Sequence, residues 1–125
     1  DYSDKLVAEW IDLGSLKKWG TPVDYSKREN IFNYVKSIWN YEHKPQVVLV
    51  DGRFRVACFL YSLATGESGT KIIFDDYTDR PHYHLIEEFV TPVEICGRQC
   101  MFLIPEKVDK EKIMSLMHQF LFVVE

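Results

Sequence analysis

Two short runs, one apolar and one β-rich, each followed directly by aspartate, constrain the fold of this chain more than any other feature. The first run covers residues 46–50 and is followed by Asp51, and the second covers residues 70–74 and is followed by Asp75 and Asp76. Continuous apolar runs of this length are typical of strands buried on both faces, so residues 46–50 are predicted to form a central strand. The residues between the two runs repeat apolar side chains at helical spacing: Val56, Phe59, Leu60, Leu63 and Ala64. A strand, helix, strand order needs a crossover and places the two strands parallel in one sheet.

Two further elements are predicted before this unit. Residues 6–13 have the pattern of a strand, and residues 14–22 have the glycine and proline content of a loop. Ser26 and Glu29 have the spacing of a capping box, which predicts a helix start. The buried face of that helix is expected to hold Ile31, Tyr34, Val35, Ile38 and Trp39.

The remainder of the chain predicts two helices and a hairpin. Pro81 suits the first turn of a helix whose inner face is Leu85, Ile86, Phe89 and Val90. Residues 93–96 and 99–104 flank a Gly-Arg pair that can close an antiparallel hairpin, and Asp109 can cap a last helix through residue 119. The sequence therefore predicts a single α/β domain over residues 1–125. Its fold is a Rossmann-like, mainly parallel sheet with flanking helices and a C-terminal antiparallel hairpin.

Composition limits the partners. The net charge of -4 is spread over both signs without a basic stripe, so neither nucleic acid nor an anionic membrane is expected as a partner. Three cysteines without metal-ligand spacing favour a reducing compartment, and no run approaches the ~20 apolar residues that span a bilayer. We therefore expect a cytoplasmic protein. The chain begins without Met, which suggests a processed product or a piece of a longer protein.

The acidic strand ends are the main candidate site. Ligands bind outside the carboxyl ends of parallel strands, and neighbouring strand ends lie about 4.8 Å apart. Asp51, Asp75 and Asp76 can then converge on a hard cation such as Mg²⁺, or on a substrate proton. A structural alternative is that Asp51 only caps the helix after Gly52, and that Asp76 or Asp79 caps the helix after Pro81.

Basic and aromatic residues close to these acids extend the candidate set. The arginines Arg53, Arg55 and Arg80 can either neutralise the acids or orient an anionic substrate. Tyr77 is grouped with them as a substrate-binding candidate. His82 is a candidate general base, although solvated or capping roles are the alternative for it and for His84; at this spacing the two face different sides of a helix.

Three segments of the sequence resemble the later half of class I S-adenosylmethionine-dependent methyltransferases. They are VVLVDGRFRVA at 47–57, IIFDDY at 72–77 and RPHYH at 80–84. The likeness is to a bacterial-type group of these enzymes and runs from about residue 6 to residue 104. It includes the WGTP loop at 19–22, which is similar to the loop after the family's third strand.

The resemblance implies a seven-stranded sheet in which the strand before Asp51 is the fourth and the strand before Asp75 is the fifth. The hairpin would then supply the sixth and seventh strands. In the cation-dependent O-methyltransferases of this class, acids at these strand ends hold a divalent metal that orients a catechol-like hydroxyl. The resemblance thus places Asp51, Asp75 and Asp76 at the metal positions.

One departure from the family concerns the cofactor. The family holds S-adenosylmethionine with a glycine-rich loop after its first strand and an acid ending its second, and no such loop precedes Leu6. We therefore expect the chain to lack the first two strands and to be inactive alone. It would be the C-terminal part of a parent that methylates a small hydroxylated acceptor with S-adenosylmethionine, with or without Mg²⁺.

Two alternatives belong to other functional classes. The first is a non-catalytic α/β interaction or oligomerisation module, in which a second copy or a missing N-terminal segment covers the bare sheet edge. The second is a phosphoacceptor receiver-like domain. Its acidic pair comes earlier in the chain than its lone acid, and this sequence has the reverse order.

Overall fold

The computed structural model describes residues 6–123. Its sheet has four strands: β1 (Val47–Val50), β2 (Lys71–Phe74), β3 (Glu94–Cys96) and β4 (Gln99–Leu103). Its α-helices are α1 (Ile31–Lys36), α2 (Arg55–Thr65) and α3 (Lys110–Phe120). Short 3₁₀ segments cover Lys18–Gly20, Arg28–Asn30, Ser37–Trp39 and Pro81–Glu88. In this part of the chain, no helix is long and apolar enough to cross a bilayer.

The strands lie in the order β1-β2-β4-β3. β1 and β2 are parallel, with Val50 opposite Phe74, and α2 connects them, so the predicted strand, helix, strand unit is confirmed. β4 is antiparallel to both of its neighbours, β2 and β3. The prediction of a mainly parallel sheet therefore holds only for the β1–β2 pair of the described sheet, because β4 lies between β2 and β3.

One face of the sheet carries the core. The apolar face of α2 is buried as predicted, and Met117 of α3 is fully buried as well. The Phe59 ring of α2 contacts the rings of Phe74 and Phe102, at centroid distances of 5.6 and 4.9 Å. The helix and the central strands are thus joined by aromatic packing, which contributes beyond the buried area alone.

The opposite face of the sheet is largely open in the described structure. Val47 and Leu49 of β1 are 56% and 59% exposed, while Val48 and Val50 are buried. The expectation of a strand covered on both faces is therefore wrong for β1, which lies at the edge of the described sheet. The described helices pack on the face that holds Val48 and Val50, not on both faces.

Residues 6–13 form no strand, which corrects the sequence prediction. Leu6, Val7 and Trp10 are exposed and Leu13 is buried. The segment instead contacts the first helical region. The carbonyl oxygen of Asp12 accepts a hydrogen bond from the side chain of Asn30 (2.8 Å). A β-rich composition alone does not make a strand without a neighbouring strand to pair with.

The first helical region starts later than the capping box predicts. The Ser26 backbone N–H donates to the Asp24 carboxylate (2.9 Å), so Ser26 belongs to a turn and not to a helix cap. Helical structure begins at Arg28 as a 3₁₀ turn and becomes α-helical at Ile31. Ile31, Val35 and Trp39 are buried as predicted, whereas Ile38 is exposed.

The C-terminal elements follow the sequence prediction closely. The segment after Pro81 is helical but of the 3₁₀ type, with Ile86 fully buried. Cys96 and Gln99 pair across the Gly-Arg turn, so the hairpin is confirmed. The Asp109 carboxylate accepts a hydrogen bond from the backbone N–H of Lys112 (3.1 Å) and caps α3.

Candidate functional site

The parallel pairing of β1 and β2 brings three carboxylates together. Asp51 follows β1, Asp75 and Asp76 follow β2, and the Asp75 backbone N–H donates to the Val50 carbonyl oxygen (3.0 Å). One carboxylate oxygen from each aspartate lies within 4.8 Å of the other two. The convergence predicted from the strand ends is therefore present, and we call these three residues the acidic cluster.

Arg55 is the buried counter-charge of the acidic cluster. It is the first residue of α2, and its guanidinium donates to the carbonyl oxygens of Gly52 (2.9 Å) and Asp75 (2.8 Å). The same group lies 3.6 Å from a carboxylate oxygen of Asp51 and 3.4 Å from one of Asp76. Because one rigid guanidinium joins both strand ends, Arg55 fixes the separation of the aspartates.

Asp76 is surrounded by arginines. Its carboxylate lies 3.5 Å from the Arg80 guanidinium and 3.6 Å from that of Arg98, in addition to the Arg55 contact. Arg98 lies in the β3–β4 turn, and its own backbone carbonyl oxygen accepts a hydrogen bond from the Tyr77 backbone N–H (2.7 Å). Arg98 was absent from the sequence candidates, because the turn reaches Asp76 only through the position of β4 beside β2.

Two residues at the site adopt left-handed backbone conformations. Asp76 has φ 55°, and so does Phe54, whose side chain is completely buried at the start of α2. A left-handed conformation is costly for residues other than glycine and is found most often where a functional geometry demands it. Phe54 directly precedes Arg55, and Asp76 directly follows Asp75, whose carbonyl oxygen accepts a hydrogen bond from Arg55.

The pKa values of Asp51 and Asp75 are shifted in opposite directions. Burial raises the pKa of Asp51 even though its side chain is 48% exposed, and the hydrogen bond and negative charge of Asp75 raise it further. Burial alone would also raise the pKa of Asp75, but hydrogen bonds from Gln99, Asp51 and the Asp76 backbone outweigh it and lower that pKa. The pKa values of the two neighbouring carboxyls are thus pushed apart, and Asp51 is the member of the pair that binds a proton more readily.

The remaining candidate residues differ in how deeply their side chains are buried. His82 lies on the exposed side of the 3₁₀ segment, with its ring 4.2 Å from that of Tyr83. His84 turns inward, and its Nε2 is 2.9 Å from the Tyr77 carbonyl oxygen. Tyr77 itself is buried and its hydroxyl donates to Glu87, which argues against the predicted substrate contact.

Tyr34 is a site residue that the sequence patterns assign to the core. Its hydroxyl oxygen accepts the backbone N–H of Arg53 (3.2 Å), and its ring packs edge-on against Phe54. A side chain at Gly52 would collide with this hydroxyl, so the close approach requires glycine there. No local pattern distinguishes Tyr34 from a core residue, because its role depends on the loop after β1.

An open cleft of about 490 Å³ lies beside the acidic cluster. Asp51 and Arg53 contribute charge to its wall, and Tyr34 contributes to the wall as well. The rest of the wall is largely apolar and includes Trp10, Leu16, Trp19, Ile38 and Leu49. A small molecule in this cleft would reach Asp51 directly.

The acidic cluster fits a hard divalent cation in the chemistry of its donors. Three carboxylates each offer an oxygen within the spacing that one cation requires, and Asp51 is exposed. Arg98 is mostly exposed and can withdraw from Asp76, whereas Arg55 is held by two carbonyl oxygens. A cation would therefore bind against the field of Arg55.

The crossover and the strand order form a mixed α/β fold with helices packed on a four-stranded sheet. This fold is similar to the solved structure of a methyltransferase-like protein from Silicibacter pomeroyi DSS-3, with 35% identity and a TM-score of 0.76. The match covers 90% of this chain and 60% of that protein, so the chain spans less than two thirds of its length. No protein-family model and no curated protein matches the sequence.

Proposed function

We propose that this chain is the C-terminal part of a class I S-adenosylmethionine-dependent methyltransferase-like protein that methylates a small hydroxylated acceptor. The observation that carries the proposal is the convergence of Asp51, Asp75 and Asp76 beside an open cleft. The 35% identity to a methyltransferase-like protein supports it. Parallel strands that end at a cleft are the usual location of ligand sites in such folds.

In the proposed reaction, the Asp51–Asp75 pair accepts the proton of the acceptor hydroxyl. Asp51 is the member of the pair that faces the cleft, and its raised pKa makes it the stronger base of the two. A base in hydrogen-bond reach of the hydroxyl makes the oxygen a better nucleophile for the methyl group. His82 is a second candidate base, because its exposed ring is close in sequence to the Arg80–Asp76 ion pair.

The arginines have two proposed roles. Arg55 positions the acids, since its guanidinium is already committed to both strand ends. Arg53 and Arg80 are proposed to orient an anionic part of the acceptor, as guanidinium groups bind carboxylates and phosphates in a fixed geometry.

Mg²⁺ is proposed to assist the reaction at this site. Asp51, Asp75 and Asp76 would hold it, and the bound ion would favour the ionised form of the acceptor hydroxyl.

Titration calorimetry tests the cofactor proposal. S-adenosylmethionine is titrated, with and without Mg²⁺, into this chain and into a longer form that carries the residues encoded upstream. We expect binding by the longer form only, because the glycine-rich cofactor loop is absent from this sequence. In the longer form, D75N should remove methyl transfer and leave cofactor affinity unchanged. A longer form that binds no cofactor would refute the proposal.

A second candidate is an oligomerisation module, which the exposed edge strand favours. β1 pairs only with β2 in the described sheet, and its Val47 and Leu49 side chains are more than half exposed. Two copies can join such edges into one continuous sheet. Light scattering should then give a dimer mass that L49K reduces to a monomer mass. A monomer at all concentrations contradicts this candidate.

A further inference from the structure

A second groove lies on the side of the sheet formed by β4 and β3, away from β1. It has a volume of about 660 Å³ and lies where the chain leaves the 3₁₀ segment Pro81–Glu88, opposite the end of β4. Its apolar wall includes Phe89, Val90, Val93, Leu103 and Pro105. Val93 is 53% exposed and Leu103 is 37% exposed, so this wall presents apolar surface to solvent. None of its described lining residues belongs to the cleft beside Asp51.

Glutamates surround the same groove. Glu87, Glu88 and Glu106 line it, and its described lining residues include no lysine, arginine or histidine. Glu87 accepts a hydrogen bond from the Tyr77 hydroxyl and Glu88 pairs with Lys112, whereas Glu106 has no ion-pair partner among the described residues. We call the groove lined by these glutamates the acid-rimmed groove. Its charge favours a cationic ligand and disfavours nucleic acid or an anionic lipid surface.

The glutamates of the acid-rimmed groove do not converge on one point. The group of three side chains close enough to hold a metal ion that occurs in residues 6–123 is the acidic cluster, and no groove glutamate belongs to it. Negative charges that are spread along a groove match separate cationic side chains along a chain, and not one small ion.

The acidic surface continues beyond this groove along α3. An adjoining cavity of about 450 Å³ shares Glu88 and Phe89 with the groove and adds the acids Asp109 and Glu111. Lys112 is the cation among its described lining residues, and it is already paired with Glu88. A ligand several residues long therefore meets acids along its whole length.

The backbone of β4 has an unpaired position in the acid-rimmed groove. The Ile104 N–H donates to the Thr70 carbonyl oxygen on the β2 side. Leu103, one residue earlier, therefore directs its N–H and C=O to the opposite side, where the Val93 N–H to Met101 carbonyl bond is the last from the β3 side. No described residue pairs with the Leu103 backbone there. An extended peptide can add to such a position.

We propose that the acid-rimmed groove binds an extended, lysine- or arginine-rich segment of another protein. The backbone of that segment pairs with Leu103, and its apolar side chains contact Phe89 and Val93. Its cationic side chains reach Glu87 and Glu106, because successive side chains of a strand point to opposite faces.

A designed peptide tests the proposal on this chain. A capped, fluorescein-labelled hexapeptide of alternating lysine and valine is titrated at low salt and followed by fluorescence anisotropy. We expect a dissociation constant on the order of 100 µM that rises with salt concentration. Two control peptides should not bind: one carries glutamate in place of lysine, and the other has methylated backbone nitrogens. Hydrogen exchange at the Leu103 amide should slow in the complex.

Three variants locate the peptide. E106K should weaken binding at least about tenfold and leave the Tm unchanged, because Glu106 is exposed and has no described ion-pair partner. The matched control E42K makes the same change in net charge at an exposed glutamate outside the groove, and should bind as wild type does. V93T keeps the net charge and the shape of the side chain, and should weaken binding about threefold through the lost apolar contact.

Several results would overturn the proposal. They are no binding of the lysine peptide, equally tight binding of either control peptide or of spermine, equal effects of E42K and E106K, and wild-type binding by V93T. A mass in light scattering that rises with protein concentration and falls in E106K would assign the groove to a second copy instead. Because the groove and the cleft share no described residue, these results are independent of cofactor binding by the longer form.

Discussion

At the scale of single residues, the acidic cluster is organised by one buried arginine. Arg55 is only 4% exposed, and it contacts Asp51, Asp76 and the backbone of both strand ends. Arg98 contacts the same Asp76 from the exposed turn between β3 and β4. A buried charge that loses its partners is costly, whereas an exposed ion pair contributes little. The two arginines should therefore differ sharply in importance.

We expect R55Q to lower the free energy of unfolding by about 3 kcal/mol, because it leaves two carbonyl oxygens and two carboxylates without their buried donor. The matched control R98Q should cost less than about 1 kcal/mol. Urea denaturation measures both values. Equal effects of the two substitutions would show that Arg55 does not organise the site.

The opposed pKa shifts of Asp51 and Asp75 predict opposite effects of two conservative substitutions. D51N offers an amide donor to Asp75 and removes the repulsion between the two acids, so its Tm at neutral pH should equal or exceed that of wild type. D75N keeps only one acceptor oxygen for the hydrogen bonds from Gln99 and Asp51 and should cost about 1 kcal/mol. Thermal unfolding of both variants checks this.

The pH dependence of the D51N effect follows from the direction of the Asp51 pKa shift. Because the folded pKa is raised, the stability that the wild-type group contributes is present at low pH and is lost as pH rises through that pKa. The amide of D51N does not titrate there. The Tm advantage of D51N should therefore grow from acidic to neutral pH, and a constant difference would contradict a raised pKa of Asp51.

At the scale of elements, close contacts determine where α2 ends. Gly66 follows α2 with φ −70°, a value that any residue adopts, so backbone freedom does not explain this glycine. A Cβ at Gly66 would lie 2.5 Å from Ile104 Cδ1 and 2.9 Å from the Trp39 ring. The end of α2 thus packs directly against Ile104, the residue after β4, and against Trp39 of the first helical region.

G66A should therefore destabilise the fold by about 1–3 kcal/mol through overpacking, despite the better intrinsic helix propensity of alanine. The double variant G66A/I104V removes the nearest methyl group and should recover part of that loss. Denaturation of the single and double variants forms a cycle that isolates the contact. Full stability of G66A alone would show that the neighbours move aside without cost.

At the scale of the whole molecule, β1 has one open edge. The carbonyl oxygens of Gln46 and Val50 accept hydrogen bonds from the backbone of Lys71 and Asp75. The backbone N–H and C=O groups of Val47 and Leu49 therefore point away from β2, toward the open edge. Their side chains also lie on the open face of the sheet. Both the edge and the face are available for a longer form of the protein or for a second copy.

Amide hydrogen exchange should report this edge directly. We expect the amides of Val47 and Leu49 to exchange much faster than those of Val48 and Val50, because only the latter pair points toward β2. Protection that appears in the longer form supports the methyltransferase proposal, and protection that grows with protein concentration supports the dimer. Uniform protection in the dilute chain would contradict an open edge.

Elements whose partners are close along the chain are predictable from the amino-acid sequence alone. The β1–α2–β2 unit, the hairpin and the capped α3 follow from apolar spacing, turn residues and a local cap. The acidic strand ends were also predictable, because a crossover between parallel strands brings successive strand ends to one edge of the sheet. These features depend on short-range chemistry or on a rule of chain topology.

Features that depend on distant neighbours became visible only in the folded chain. Residues 6–13 have the composition of a strand but form none, and β1 is an edge, because pairing needs a partner that local sequence does not specify. Arg98 and Tyr34 reach the site through the position of β4 and through the loop after β1. Trp19 likewise has a left-handed backbone conformation that hydrogen bonds across its loop impose, and no residue pattern reveals such constraints before the chain has folded.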